Sequence, residues 1–136
     1  MTVTFNKFNS FVAALANKTH NLGSDQLKIA LTDAAPSASN TQLSNITEIS
    51  YTSLSSRNIT TTSSSQTGGV YKLILQNLVM TSSGTVGPFR YVVLYNDSAT
   101  NKELIGWYDI GVETTLLNTD TLTLNFDGTN GAVSIT

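Results

Sequence analysis

Apolar residues recur along this chain at two different spacings. Near the N-terminus Phe5, Phe8, Val12 and Leu15 follow one another at three- and four-residue steps, with Phe11 flanking the stripe and Asn6, Asn9 and Asn17 on the other face. That period predicts one short N-terminal α-helix within about residues 4–18. Asn21-Leu22-Gly23 fits its termination, with glycine available for a left-handed cap. A helix this short does not persist in water alone, so it must lean on a sheet or on a partner chain.

After the helix the spacing shortens to two. Leu27–Leu31 alternates and reads as the first strand, followed by a loop, Asp33–Gln42, in which Pro36 breaks regular structure. Ile46–Tyr51 alternates again and predicts a half-exposed strand. From Thr52 to Gly69 the chain is nearly all Ser and Thr. Leu54, Ile59 and the β-branched Thr run predict exposed β structure there rather than a linker. Val70–Met80 reads as a long core strand, broken or bulged near Gln76-Asn77.

The stretch around which the rest is organised is Gly84–Asp109. It predicts two apolar strands, Phe89–Asn96 and Glu103–Asp109, joined by a polar turn, Asp97–Lys102, with Gly111 ending the hairpin. It holds the only Trp, Trp107, and aromatic side chains bury large areas, so this hairpin belongs at the centre of the sheet. Glu113–Leu117 and Thr121–Phe126 follow, joined at Asn118–Asp120, with Leu122, Leu124 and Phe126 on one face. Asp127-Gly128 and Asn130-Gly131 are tight-turn dipeptides that lead into a last strand, Ala132–Ile135. About eight short strands behind one helix predict a mainly β fold, an antiparallel β-sandwich or jelly-roll-like barrel. The length of 136 residues suits a single β domain over 1–136, with the sandwich occupying about residues 26–136.

Composition changes that picture in one respect. Charged residues make up 12% of the chain, about half of the usual share, and Ser, Thr and Asn take their place. A hydroxyl- and amide-rich β surface suits packing against another protein, because little charge has to be desolvated. The net charge is −2, and seven scattered basic residues supply no cluster to neutralise phosphates, so no nucleic-acid partner is expected. No run approaches the length of a membrane-spanning helix, so no membrane partner is expected either. The first residues lack a basic cluster ahead of a continuous apolar run and read as mature protein rather than a signal sequence. With no cysteine, the chain has no disulfides, thiol nucleophile or zinc-thiolate site.

Candidate chemistry is sparse, and no cofactor is expected. His20 is the only histidine and lies beside the end of the predicted helix, where hydrogen bonding is commoner than catalysis. Asp97, Asp109, Asp120 and Asp127 stand where turn-forming aspartates stand. A calcium site among those loops stays open, although none has the dense alternating ligands of an EF-hand. The Asn-x-Ser/Thr triplets at Asn17, Asn45, Asn58 and Asn96 are what chance gives in so Asn-, Ser- and Thr-rich a chain.

Three blocks carry a resemblance. FNKFNSFVAALANKTHNLGSDQLKIALTD, SSSQTGGVYKLIL, and GTVGPFRYVVLYNDSATNKELIGWYDIG with the closing TLNFDGTNG resemble small virion proteins of tailed bacteriophages, those regarded as capsid decoration or cement proteins. The likeness spans nearly the whole chain, and the hairpin is its most distinctive part. It implies a non-enzymatic β domain, made in the bacterial host cytoplasm, that binds the major capsid protein on the outer surface of the head and clusters as homotrimers. On that reading the front helix with Phe5, Phe8 and Phe11, and the Ser/Thr-rich region with Arg57 and Ile59, are the expected contacts. Changing Phe8 or Phe11 to Ala is then expected to lower head occupancy without unfolding, whereas unfolding would mark both as plain core. Two other readings stay open: a tail, adaptor or fibre-associated structural protein, and a carbohydrate-binding module using Trp107, Tyr108 or Tyr95.

Overall fold

The computed structural model describes residues 3–136. In chain order the elements are β1 (Phe5–Lys7), α1 (Ser10–Ala16), β2 (Leu27–Thr32), a 3-10 turn at Leu43–Asn45, β3 (Asn58–Ile59), β4 (Thr61–Thr67), β5 (Val70–Leu75), β6 (Leu78–Thr81), β7 (Val86–Asn96), β8 (Leu104–Leu116), β9 (Thr121–Leu124) and β10 (Val133–Ile135). They form three antiparallel sheets, ordered β1-β8-β7-β2-β3, β10-β5-β4 and β6-β9. With strands in 47% of the chain and one short helix, the fold is mainly β and sandwich-like.

The aromatic hairpin is the centre of the large sheet, as its composition predicts. β7 pairs with β8 on one side and with β2 on the other, in register from Leu27↔Asn96 to Thr32↔Tyr91. Because successive side chains point to opposite faces, Val92 and Leu94 enter one apolar cluster and Val93 and Tyr95 another. The main core lies where the two smaller sheets face the large one: Leu73 and Leu75 of β5, Met80 of β6 and Val133 of β10 meet Ile29, Leu31, Val92, Leu94 and Ile105. The second core, on the opposite face, joins Phe8, Ala30, Val93, Tyr95 and Leu104 to Ile46, with Leu43 and Trp107 at its margin. The large sheet is therefore buried on both faces. The chain just beyond the predicted Asp33–Gln42 loop, with Leu43 and Ile46, supplies that second cover. It is pinned by Leu43 N–H to the Lys102 carbonyl at 3.0 Å and by Leu104 N–H to the Thr41 carbonyl at 3.0 Å.

Several expectations need correction. The front segment is not one helix over residues 4–18. Phe5–Lys7 is a strand paired with β8 (Phe5↔Tyr108, Lys7↔Gly106), and the helix is only Ser10–Ala16. The helical spacing of Phe5 and Phe8 is satisfied differently: Phe5 rests on Tyr108, with ring centroids 5.4 Å apart, and Phe8 on Trp107 at 4.6 Å. These contacts require Gly106 in β8, since a Cβ there would collide with the Phe5 ring. Ile46–Tyr51 is not a strand. Its alternation instead lets Ile46 fill the second core, while Ile49 N–H bonds the Leu31 carbonyl at 3.1 Å. Nor does Gly111 end the hairpin. It sits at φ 92 within a 13-residue β8, where the pairing shifts between Tyr91↔Asp109 and Phe89↔Thr114. Such a shift puts extra residues opposite one partner, and glycine takes the left-handed conformation without a Cβ clash.

The break at Gln76-Asn77 is present, and it has a topological purpose. It separates β5, which pairs with β4 and β10, from β6, which pairs with β9. The Ser/Thr-rich region is β structure from Asn58 onward, in β3 and β4, whereas Thr52–Arg57 holds no strand and Ile59 is buried rather than exposed. The two-residue turn Gly68-Gly69 joins β4 to β5 with φ of 59° and 83°.

Phe8 is fully buried on the second face. Phe8→Ala is expected to cost about 3–5 kcal/mol, the range for a core Phe truncated to Ala, read as a lower urea midpoint with an unchanged slope.

Candidate interaction surface

The contacts expected from the sequence are not where a partner meets them. Phe8, Phe11 and Ile59 are at most 4% exposed and belong to the chain's own cores. Arg57 is 15% exposed and acts as an internal clamp. Its guanidinium lies 3.6 Å from the Tyr51 ring centroid, its Nη1 donates to the Ile29 carbonyl at 2.6 Å, and Glu48 Oε1 stands 3.9 Å away. Tyr51 Oη in turn accepts from Leu31 N–H at 2.9 Å and donates to Glu48 at 2.8 Å. Arg57 thereby fastens the uncoupled Ile46–Tyr51 segment to β2. Only Phe5, half-buried on β1, retains outward surface. The reason for the correction is geometric. The phenylalanines lie on a strand, a turn and a helix that all fold back onto the sheet, so the apolar stripe is spent internally.

The three aromatic residues named for sugar stacking do not share one exposed face. Tyr95 is buried, and Trp107 and Tyr108 are half-buried on opposite faces of the sheet. Burial pushes the Tyr108 hydroxyl up to about 12.

His20 anchors a buried polar knot at the base of the β7–β8 turn. The Asn96 amide is fully used: Nδ2 donates to His20 Nδ1 at 2.9 Å and to Asp25 Oδ2 at 2.6 Å, and Oδ1 accepts from Ser98 N–H at 3.0 Å and Ala99 N–H at 3.2 Å. As acceptor at Nδ1, His20 is the neutral tautomer with its proton on Nε2. Nε2 is buried without a partner, as is Glu103 Oε2. Desolvation holds the imidazole below its ordinary value, against the smaller opposing pull of Glu103 and Asp25. Phe11 packs on its ring at 5.4 Å. The knot ties the α1 end to the hairpin turn, so the histidine is structural. It also removes Asn96 from consideration as a glycosylation acceptor, since this residue is fully buried.

The aspartates behave as turn and ladder residues. Asp97 pairs with Lys102 at 3.0 Å. Asp120 accepts from Leu117 N–H at 2.8 Å, and Asp127 Oδ1 from Asn130 N–H at 2.8 Å and Thr129 N–H at 2.9 Å. Asp109 is not in a turn. It lies in β8 and holds Arg90 by two hydrogen bonds, 2.8 and 3.1 Å, which keep its carboxyl below the usual range. Among the described residues no group of three or more His, Asp or Glu side chains converges as a metal site would require. No helix among them is long and apolar enough to cross a membrane.

Two stretches of the exposed strand surface carry no charge. In the β6–β9 sheet Leu78 and Met80 of β6, and Leu122 and Leu124 of β9, turn toward the main core. The alternate residues, Val79 and Thr81 with Thr123 and Thr121, are paired across the ladder and exposed. Val79 is 56% exposed. The alternation of Leu122, Leu124 and Phe126 shows the β9 half of this face in the sequence. Val79 is hidden there by the apolar run of Val70–Met80. The other open surface is β4, whose seven residues carry no charge.

Comparison with protein-family models, with curated proteins and with solved structures finds no match to this chain.

The polar knot has a measurable consequence. The folded imidazole binds its proton more weakly than the unfolded one, so its contribution to stability is complete above pH 6.5. It declines as pH falls through 6.5 toward the lower folded value. The urea midpoint is expected to drop between pH 7.5 and 5.5, a window above most carboxylate titrations, and His20→Gln is expected to flatten that drop.

Proposed function

We propose that this chain is a non-enzymatic structural protein of a tailed-phage virion, a decoration protein that binds the outer surface of the capsid and stabilises the mature head as symmetric trimers. The observation that carries this reading is the outer face of β6–β9, where Val79, Thr81, Thr121 and Thr123 form an exposed, charge-free, β-branched surface on a rigid sandwich. Docking such a face desolvates apolar and hydroxyl groups but no ion. The β6–β9 strands are anchored from beneath by Leu78, Met80, Leu122 and Leu124 in the main core, so this face loses little conformational freedom on binding and more of the contact energy remains as affinity. The resemblance of the hairpin, Gly84–Gly111, to phage decoration proteins supports the same reading.

The mechanism is linkage. A protein that binds only the mature shell stabilises that state, and many symmetric copies multiply the effect against outward pressure from packaged DNA. With Phe8, Phe11 and Ile59 interior, the contact moves from the front helix to the β6–β9 face.

Quantitative peptide mass spectrometry of purified particles tests the reading. A ratio to the major capsid protein near one, or a simple fraction of it, is expected, and a handful of copies would place the chain in the tail instead. Val79→Lys is expected to lower head occupancy while leaving the unfolding free energy from urea titration within about 0.5 kcal/mol of the parent, as for a surface substitution.

A further inference from the structure

The sheet order β10-β5-β4 leaves one side of β4 without a neighbouring strand. Among the strands that end a sheet it is the longest: β4 has seven residues, against three in β1 and β10, two in β3, and four in β6 and β9. Natural edge strands are usually blunted by Lys, Pro or an inward charge. Thr61–Thr67 carries none of these; a bulge, which also blunts an edge, is confined to the register shift between Thr61 and Ser63, at the end far from the turn.

The backbone direction follows from the turn. Gly68-Gly69 is a two-residue connection, so Thr67↔Val70 closes the ladder as a hydrogen-bonded pair, and alternate residues back along β4 bond to β5. Ser65 and Ser63 therefore face β5, and the N–H and C=O groups of Ser64 and Gln66 face away from it.

The seven residues are also nearly their own reverse. About Ser64 the chain reads Ser63 with Ser65, Thr62 with Gln66, and Thr61 with Thr67. We infer that the free edge of β4 pairs with the same edge of a second copy of this chain, antiparallel about a two-fold axis at Ser64. Ser64 then exchanges two N–H···O=C bonds with its own copy, Ser63 stands opposite Ser65 on either side, and the bulged Thr62 marks where the regular pairing ends. A two-fold contact places the same patch on both partners, so any charge on β4 would meet itself or a near neighbour; this strand has none to repel. Hydroxyl opposite hydroxyl is a favourable cross-strand pairing, and the partner best matched to this edge is the edge itself. The association continues β10-β5-β4 into a six-stranded sheet across two chains. It does not depend on the virion reading, because it forms in solution.

The test uses the full chain, which has no cysteine of its own. Sedimentation equilibrium across a wide concentration range is expected to show a monomer–dimer equilibrium. Ser64→Pro removes an outward N–H while leaving the β4–β5 ladder in place, and is expected to weaken dimerisation on the order of tenfold or more. Should Ser64→Pro perturb the fold by circular dichroism, Ser64→Cys supplies an independent readout. Opposed Cα atoms about 5.5 Å apart are within disulfide reach, so oxidised glutathione is expected to link Ser64→Cys chains into a dimer and be reduced in the process. Ser134→Cys, on exposed β10, is expected to stay monomeric under the same treatment. A chain that is monomeric throughout overturns the inference. So does a dimer or trimer unchanged by Ser64→Pro in a folded variant, or cross-linking of Ser134→Cys as fast as that of Ser64→Cys.

Discussion

The strand β7 is the constraint on which the rest of this structure depends. From Val92 to Asn96 every residue is buried, so both faces of the strand must be covered and both edges paired. β8 and β2 meet the edges, and each covered apolar side chain contributes about 1.5–3 kcal/mol. One face is covered conventionally, by two smaller sheets. The other is covered by chain with little regular structure, the Leu43 and Ile46 segment, together with Phe8. Loop chain can serve there because its backbone groups find partners at Lys102, Leu104 and Leu31.

Polar groups are treated in the same economical way. Asn96 gathers one set of them, its amide meeting four partners at once, and the arginines at 57 and 90 are engaged with carboxylates close to their own elements. Lys102 is likewise paired. Much of the limited charge in the chain thus serves turns and ladders, and the broad strand surfaces are left to Ser, Thr and Val. That division connects fold to function: the interior supplies rigidity, and the exterior offers uncharged β surface at two separate places. The β6–β9 face is suited to another protein's surface, and the β4 edge to another strand.

The sequence carried the hairpin, the break at Gln76-Asn77, the outward Thr121 and Thr123 and the exposed β4 region in readable form. Each depends on neighbours in sequence: period-two alternation, a polar interruption, or a glycine pair at a turn. The front segment misled for an equally physical reason. Phe5 and Phe8 have helical spacing, yet three residues around Phe5 gain more by laddering to β8, where Gly106 leaves room for the ring. Tertiary pairing outweighs local periodicity in a segment too short to hold a helix alone. The expected contacts at Phe8, Phe11, Arg57 and Ile59 were misplaced for the same reason, since an apolar or stacked side chain reads alike whether it meets its own core or a partner.

By itself the sequence determined the fold class, the low charge and the identity of the central strands, because these follow from composition and short-range pattern. Only the tertiary structure decided which surfaces remain open. Exposure is a property of what packs against a residue, and the groups that cover β7, from Phe8 to Val133, come from distant parts of the chain.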